Sequence, residues 1–176
     1  MNIGAIIIII IVSIVLVITF YIIGVYNSLL DAKNRVEDQF RPIDLELNKI
    51  LEMLPNIIDI LKKNAKYEEK LINEIEKLKN KLIKTNTINE KIKLASSLNK
   101  TLLKIFELKQ TYPELKNNKN FTSLQKNLKD TKEKIKYSST FYNDAVYRYN
   151  NVKKEFPANI ISKTFKFKEI NLLELE

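Results

Sequence analysis

The hydrophobic pattern divides the chain at about residue 25. Ile3 to Ile23, IGAIIIIIIVSIVLVITFYII, carries no charge at all. As a helix it reaches about 31 Å, the thickness of a hydrocarbon core of roughly 30 Å. Its many β-branched residues would make a mediocre helix in water, but in lipid only a helix satisfies the backbone N–H and C=O groups. No basic residue precedes the run and no A-x-A-like site follows it, so a retained anchor is expected over 1–25 rather than a cleaved signal peptide.

From Tyr26 the period becomes helical. Leu29, Val36, Ile43, Ile50 and Ile57 recur every seven residues, and Lys33, Phe40, Leu47, Leu54 and Leu61 follow four behind. A seam held this long predicts one helix over 26–62, growing out of the anchor. Pro42 and Pro55 fall inside it and are expected to kink it, since each removes a backbone donor. Leu71, Ile75, Leu78 and Leu82 mark a second helix over 67–84. Ile88, Ile92, Ala95, Leu98, Leu102 and Ile105 mark a third over 88–112, stopping before Pro113. Thr87 and Glu90 have capping-box spacing at its start.

ELKNNKN, 114–120, predicts a polar loop. Phe121, Leu128, Ile135, Tyr142, Tyr149 and Phe156 then recur every seven residues, with Phe141 and Val146 widening the stripe. They predict a last helix over 120–156, ended by Pro157. The fold class is therefore all-α: a single-pass transmembrane helix and an antiparallel up-and-down bundle over 26–157. Four helices follow if KTNTIN, 84–89, is a turn, and three if it continues a helix. The turn is favoured by its polarity and the capping box.

The tail, 158–176, alternates Phe165 and Phe167 with Lys166 and Lys168. Either the aromatics cap the core, or the segment is membrane-proximal with its lysines at the headgroups.

Composition narrows the chemistry. Only two glycines occur, both in the anchor segment, and there is neither cysteine nor histidine. Disulfides, thiol chemistry and histidine-based hydrolysis are thereby excluded, as is a glycine-rich phosphate loop. Carboxylate pairs such as Glu68–Glu69 and Asp130–Glu133 lie in Lys-rich stretches and suggest neither a metal site nor an acid/base pair. No enzyme activity, cofactor or metal is expected. The net charge of +9 is mostly lysine interspersed with Glu and Asn, a solvated helix surface rather than a nucleic-acid interface. Lys33, Arg35, Arg41 and Lys49 follow the anchor closely, which places the large domain in the cytoplasm and the N-terminus outside.

NRVEDQF, IDLEL and LPNIIDILK in the first helix, with YPELK, FTSLQKNL, FYNDAVYRYN and EFPAN toward the end, resemble LemA family proteins in order and spacing. The resemblance implies a single-pass bacterial membrane protein with a helical bundle and no defined activity. Its polar motif falls here on Asn34, Arg35, Asp44, Asn56, Asn143, Asp144 and Asn150. Asn143 and Asn150 share a stripe, where they either bond between helices or form a recognition surface. Departures are Phe40 for the usual Trp, the unusual Pro42, Tyr67 for a His, Ser139 for an Arg, and Lys166 for a Gly.

These readings lead to a non-catalytic scaffold or adaptor in the cell membrane, in contact with the bilayer and with another membrane or envelope protein. The alternatives are a module that binds anionic lipid and a homo-oligomer built through the heptad seams.

Overall fold

The computed structural model describes residues 3–64 and 68–174. Tyr67, and with it the expected start of the second helix, lies outside the described residues. The fold is all-α. In order, the helices are α1 (Ile3–Asn64), α2 (Glu69–Lys84), α3 (Ile88–Thr111), α4 (Pro113–Asn117), α5 (Lys119–Lys154) and α6 (Ala158–Thr164).

α1 runs unbroken for 62 residues, through Pro42 and Pro55, and joins the apolar run to the bundle without a linker. Its N-terminal part has a mean hydropathy of 3.4 and is long and apolar enough to cross a membrane. The two aliphatic hydroxyls of the run, Ser13 and Thr19, donate back to the carbonyls of Ile9 and Val15 at 2.8 Å. They thus bring no unsatisfied polar group into an apolar surrounding.

Beyond Val25 the two heptad rows of α1 turn inward. Leu29, Val36, Ile43, Leu54, Ile57 and Leu61 are wholly buried, and Phe40, Leu47 and Ile50 nearly so. α5 lies along this seam with Phe121, Leu128, Ile135, Tyr142, Val146 and Tyr149 buried. Phe40 meets the Tyr142 ring at 5.5 Å. α2 and α3 form a hairpin over the remaining face, its turn made by residues 85–87. Each fully buried Leu or Ile contributes about 1.5–3 kcal/mol, so the continuous seam rather than helix propensity decides the register. Between elements, Lys91 pairs with Asp44 at 2.6 Å and Thr101 donates to Glu74 at 2.9 Å.

Four expectations need correction. Residues 114–120 are not a loop: Pro113 sits at the first position of α4, where its missing N–H costs nothing, and Asn118 then caps α5 by accepting from the Phe121 N–H. The capping box does not form; Glu90 instead accepts from Thr85 at 2.5 Å. Phe141 is half exposed, outside the core. Phe156 is 79% exposed, because α5 ends at Lys154 and the seven-residue row outruns the helix that gives it meaning. Pro157 then precedes α6, a helix not anticipated in the tail.

Candidate functional site

The most organised polar site on the bundle is a clamp on the chain's own C-terminal segment. α6 packs Ala158 and Ile161 against Leu29, with Val25, Tyr26, Val152 and Phe167 around them. The chain then reverses at Lys166, which has φ 57°. That left-handed conformation suits glycine, since a Cβ crowds the following carbonyl, and it gives the family's usual Gly at this position a physical reason.

From Phe167 to Glu174 the segment has no regular secondary structure and rises along α5, antiparallel to it. Five side chains hold its main chain. Tyr149 donates its hydroxyl to the Lys168 carbonyl and Tyr142 to the Asn171 carbonyl, each at 2.8 Å. Asn150 donates to the Ile170 carbonyl at 2.8 Å and accepts from the Ile170 N–H at 3.2 Å. Asn143 repeats this at Leu173, with 3.1 and 2.9 Å. From α3, Asn89 donates to the Glu169 carbonyl at 3.0 Å and accepts from the Asn171 N–H at 2.8 Å.

The geometry works because two periods match. Tyr142 and Tyr149, like Asn143 and Asn150, are seven helical residues apart, about 10.5 Å. Their targets are three residues apart, which spans about 10 Å in an extended chain. Each pair can therefore bond the segment twice without distortion. The apolar side chains keep the same step: Phe167 and Ile170 pack against the core, and Leu173 is buried in it.

Burial raises the pKa of the Tyr142 and Tyr149 hydroxyls, so both are protonated donors at neutral pH. Their carbonyl partners suit that state, since a phenolate could not donate.

Of the seven motif residues, only Asn143 and Asn150 come together, and their partner is the tail rather than another helix. Asp44 pairs with Lys91, and Asp144 with Arg148 at 2.9 Å. Asn34, Arg35 and Asn56 are exposed along α1. Phe165 and Phe167 flank Tyr26, with ring centroids 4.9 and 5.6 Å away, while Lys166 and Lys168 are exposed. Sequence reasoning missed Asn89, Tyr142 and Tyr149 as clamp residues. Asn89 gave no signal, being 80 residues from its partner. The tyrosines did: a Tyr at a core position where Leu would fit brings a hydroxyl that needs a partner.

A second feature lies on the opposite flank of α5. Pro42, Leu45, Glu46, Lys49 and Glu52 of α1 face Asp130, Glu133, Lys134 and Tyr137 of α5 across an open groove of about 1130 Å³. Leu45 and Tyr137 are well exposed there, and beside the groove the half-exposed Phe141 ring meets that of Tyr137 edge-on at 5.3 Å. Glu46 is half-buried; one carboxylate oxygen takes Lys49 at 2.6 Å, and the other is buried without a partner.

The sequence model of the LemA family matches residues 39–176, more than three quarters of the chain. No curated protein matches it.

Proposed function

The chain belongs to the LemA family, and from that premise and the bundle's geometry we propose that it is a membrane-anchored, non-catalytic scaffold for another membrane or envelope protein. Ile3–Ile23 spans the bilayer, and α1 carries the bundle outward from it as one helix. Positive-inside bias puts the bundle in the cytoplasm.

The observation that carries this reading is the groove between α1 and α5. Its exposed Leu45 and Tyr137, with Phe141 packed on the Tyr137 ring beside it, have the apolar and aromatic character of protein contacts. Four carboxylates, Glu46, Glu52, Asp130 and Glu133, outnumber Lys49 and Lys134 along it. In a chain of net charge +9, a locally acidic groove favours a partner segment that offers Lys or Arg beside apolar side chains.

A photo-crosslinking residue at position 137 in living cells tests this. One discrete adduct with a second protein, lost when Glu46→Lys and Phe141→Glu are introduced and absent from position 123 on the far part of α5, is the expected result. An adduct with the chain itself would instead make it a self-associating protein, and no adduct would remove the groove as a docking site. Location has its own test. The native chain has no cysteine, so Ser123→Cys should react with an impermeant thiol reagent only after lysis; labelling of intact cells would put the bundle outside.

A further inference from the structure

We propose that α6 and the turn after it form a foot that seats the base of the bundle in the headgroup layer of an anionic bilayer. The inference rests on the reading of Ile3–Ile23 as the membrane span.

Position comes first. α6 is packed on Val25, Tyr26 and Leu29 of α1, which are two to six residues beyond Ile23. At about 1.5 Å per residue they stand about 3–9 Å past the end of the apolar run. A headgroup layer of about 5–8 Å on each side of the hydrocarbon core covers that height. Whatever α6 presents outward is therefore at the membrane surface.

What it presents is apolar and cationic. Phe156, Ile160 and Phe165 are 79%, 57% and 53% exposed, a costly arrangement in water for three large side chains at one end of a bundle. Phe156 and Phe165 bracket α6, while Ala158, Ile161 and Ser162 on its inner face are buried. From Phe156 to Lys168 the chain carries Lys163, Lys166 and Lys168, all exposed, and no acidic residue. Large apolar side chains beside lysines, with carboxylates only at the two margins (Glu155, and Glu169, which pairs with Lys154 at 3.3 Å), suit the boundary between acyl chains and phosphate groups. The Tyr26 ring, against which Phe165 and Phe167 stack, has the amphipathic character of an interfacial anchor. The span and the foot would then fix the bundle at two points, so that it cannot swivel freely about α1.

The chain contains no tryptophan, so single Trp probes report without background. Ile160→Trp and Phe165→Trp replace exposed side chains, and circular dichroism verifies that each folds. In discs of phosphatidylglycerol and phosphatidylcholine, both probes of the full chain should emit to the blue of free Trp. Lipids brominated near the headgroup end of the acyl chain should quench both. Val12→Trp, inside the span, should be quenched best by bromines at mid-chain, and Leu103→Trp, on distal α3, by neither. Replacing Lys163, Lys166 and Lys168 by Gln should weaken quenching at position 160 and leave it unchanged at position 12. Quenching at 12 with none at 160 and 165 overturns the foot and leaves the anchor standing. Quenching at none of the three overturns the anchor, and the foot with it.

Discussion

Asn143 and Leu173, thirty residues apart, exchange two hydrogen bonds: the Asn143 amide donates to the Leu173 carbonyl at 3.1 Å and accepts from its N–H at 2.9 Å. A side chain thus does for an extended main chain what a neighbouring strand would do in a sheet. Asn150 does the same one step lower, at Ile170. Neither bond reads the identity of the tail residue. Identity is read by burial, through Leu173.

Asn143→Ala should therefore loosen the tail and leave the main bundle intact. Removing both bonds to a half-buried backbone costs about 1–3 kcal/mol. Amide hydrogen exchange is expected to accelerate at 168–174, with no change along the α1–α5 seam. Because Asn150→Ala frees the same segment, the double variant should lose less than the sum of the two singles. Unchanged exchange at residue 173 would refute the clamp.

Adjacent leucines should behave differently. Leu173 is 3% exposed within the core, whereas Leu172 is 46% exposed. Leu173→Ala should cost about 2–3 kcal/mol in urea unfolding, and Leu172→Ala less than about 0.5. The opposite ranking would mean that the segment binds one residue out of register.

Lys166→Gly is expected to stabilise the protein. Relief of a left-handed φ on a residue with a Cβ is worth about 1–2 kcal/mol, offset by the greater freedom of glycine when unfolded. The net gain should be about 1 kcal/mol, read as a higher urea midpoint. A loss would show that the Lys166 side chain contributes more than the backbone relief does.

The clamp should also respond to alkali. Burial raises the pKa of Tyr142 and Tyr149 in the folded state, so folding favours their protonated forms. Their contribution is complete below the ordinary tyrosine pKa of about 10 and falls as pH rises above it. Tail protection should be flat from neutral pH to about 9 and decline beyond 10. Lys132, whose pKa burial lowers, acts with the opposite sign, so the comparison is with Tyr149→Phe. That variant should be less stable at neutral pH and show a shallower alkaline loss. Parallel curves would rule out the Tyr149 hydroxyl as the titrating donor.

Periodicity made the bundle legible in the sequence. Leu29 to Leu61 and Phe121 to Tyr149 repeat at the spacing that helices demand, and the wall they predict is the wall that forms. The same rule misled at Phe156, because counting by sevens cannot register that α5 stops at Lys154. The clamp was opaque for a different reason. Asn89, Asn143 and Asn150 bond main-chain groups 20 to 82 residues away, and a backbone carbonyl leaves no mark in a sequence. The stripe shared by Asn143 and Asn150 was visible, but its partner was not. Lys166 stood out only as a departure from the family's glycine, and its φ supplies the meaning.

The scaffold and the foot both depend on α1 crossing from the apolar run into the bundle as one helix. The most direct test is a distance between spin labels at Val17→Cys and Gln39→Cys in the full chain, reconstituted in lipid discs. Val17 is 69% exposed in the apolar run, Gln39 is exposed above it, and no native cysteine competes. A continuous helix puts their backbones about 33 Å apart. A single narrow distribution near that value is expected. A broad distribution, or one shifted well below it, would mean that the chain bends between anchor and bundle, and would contradict the account.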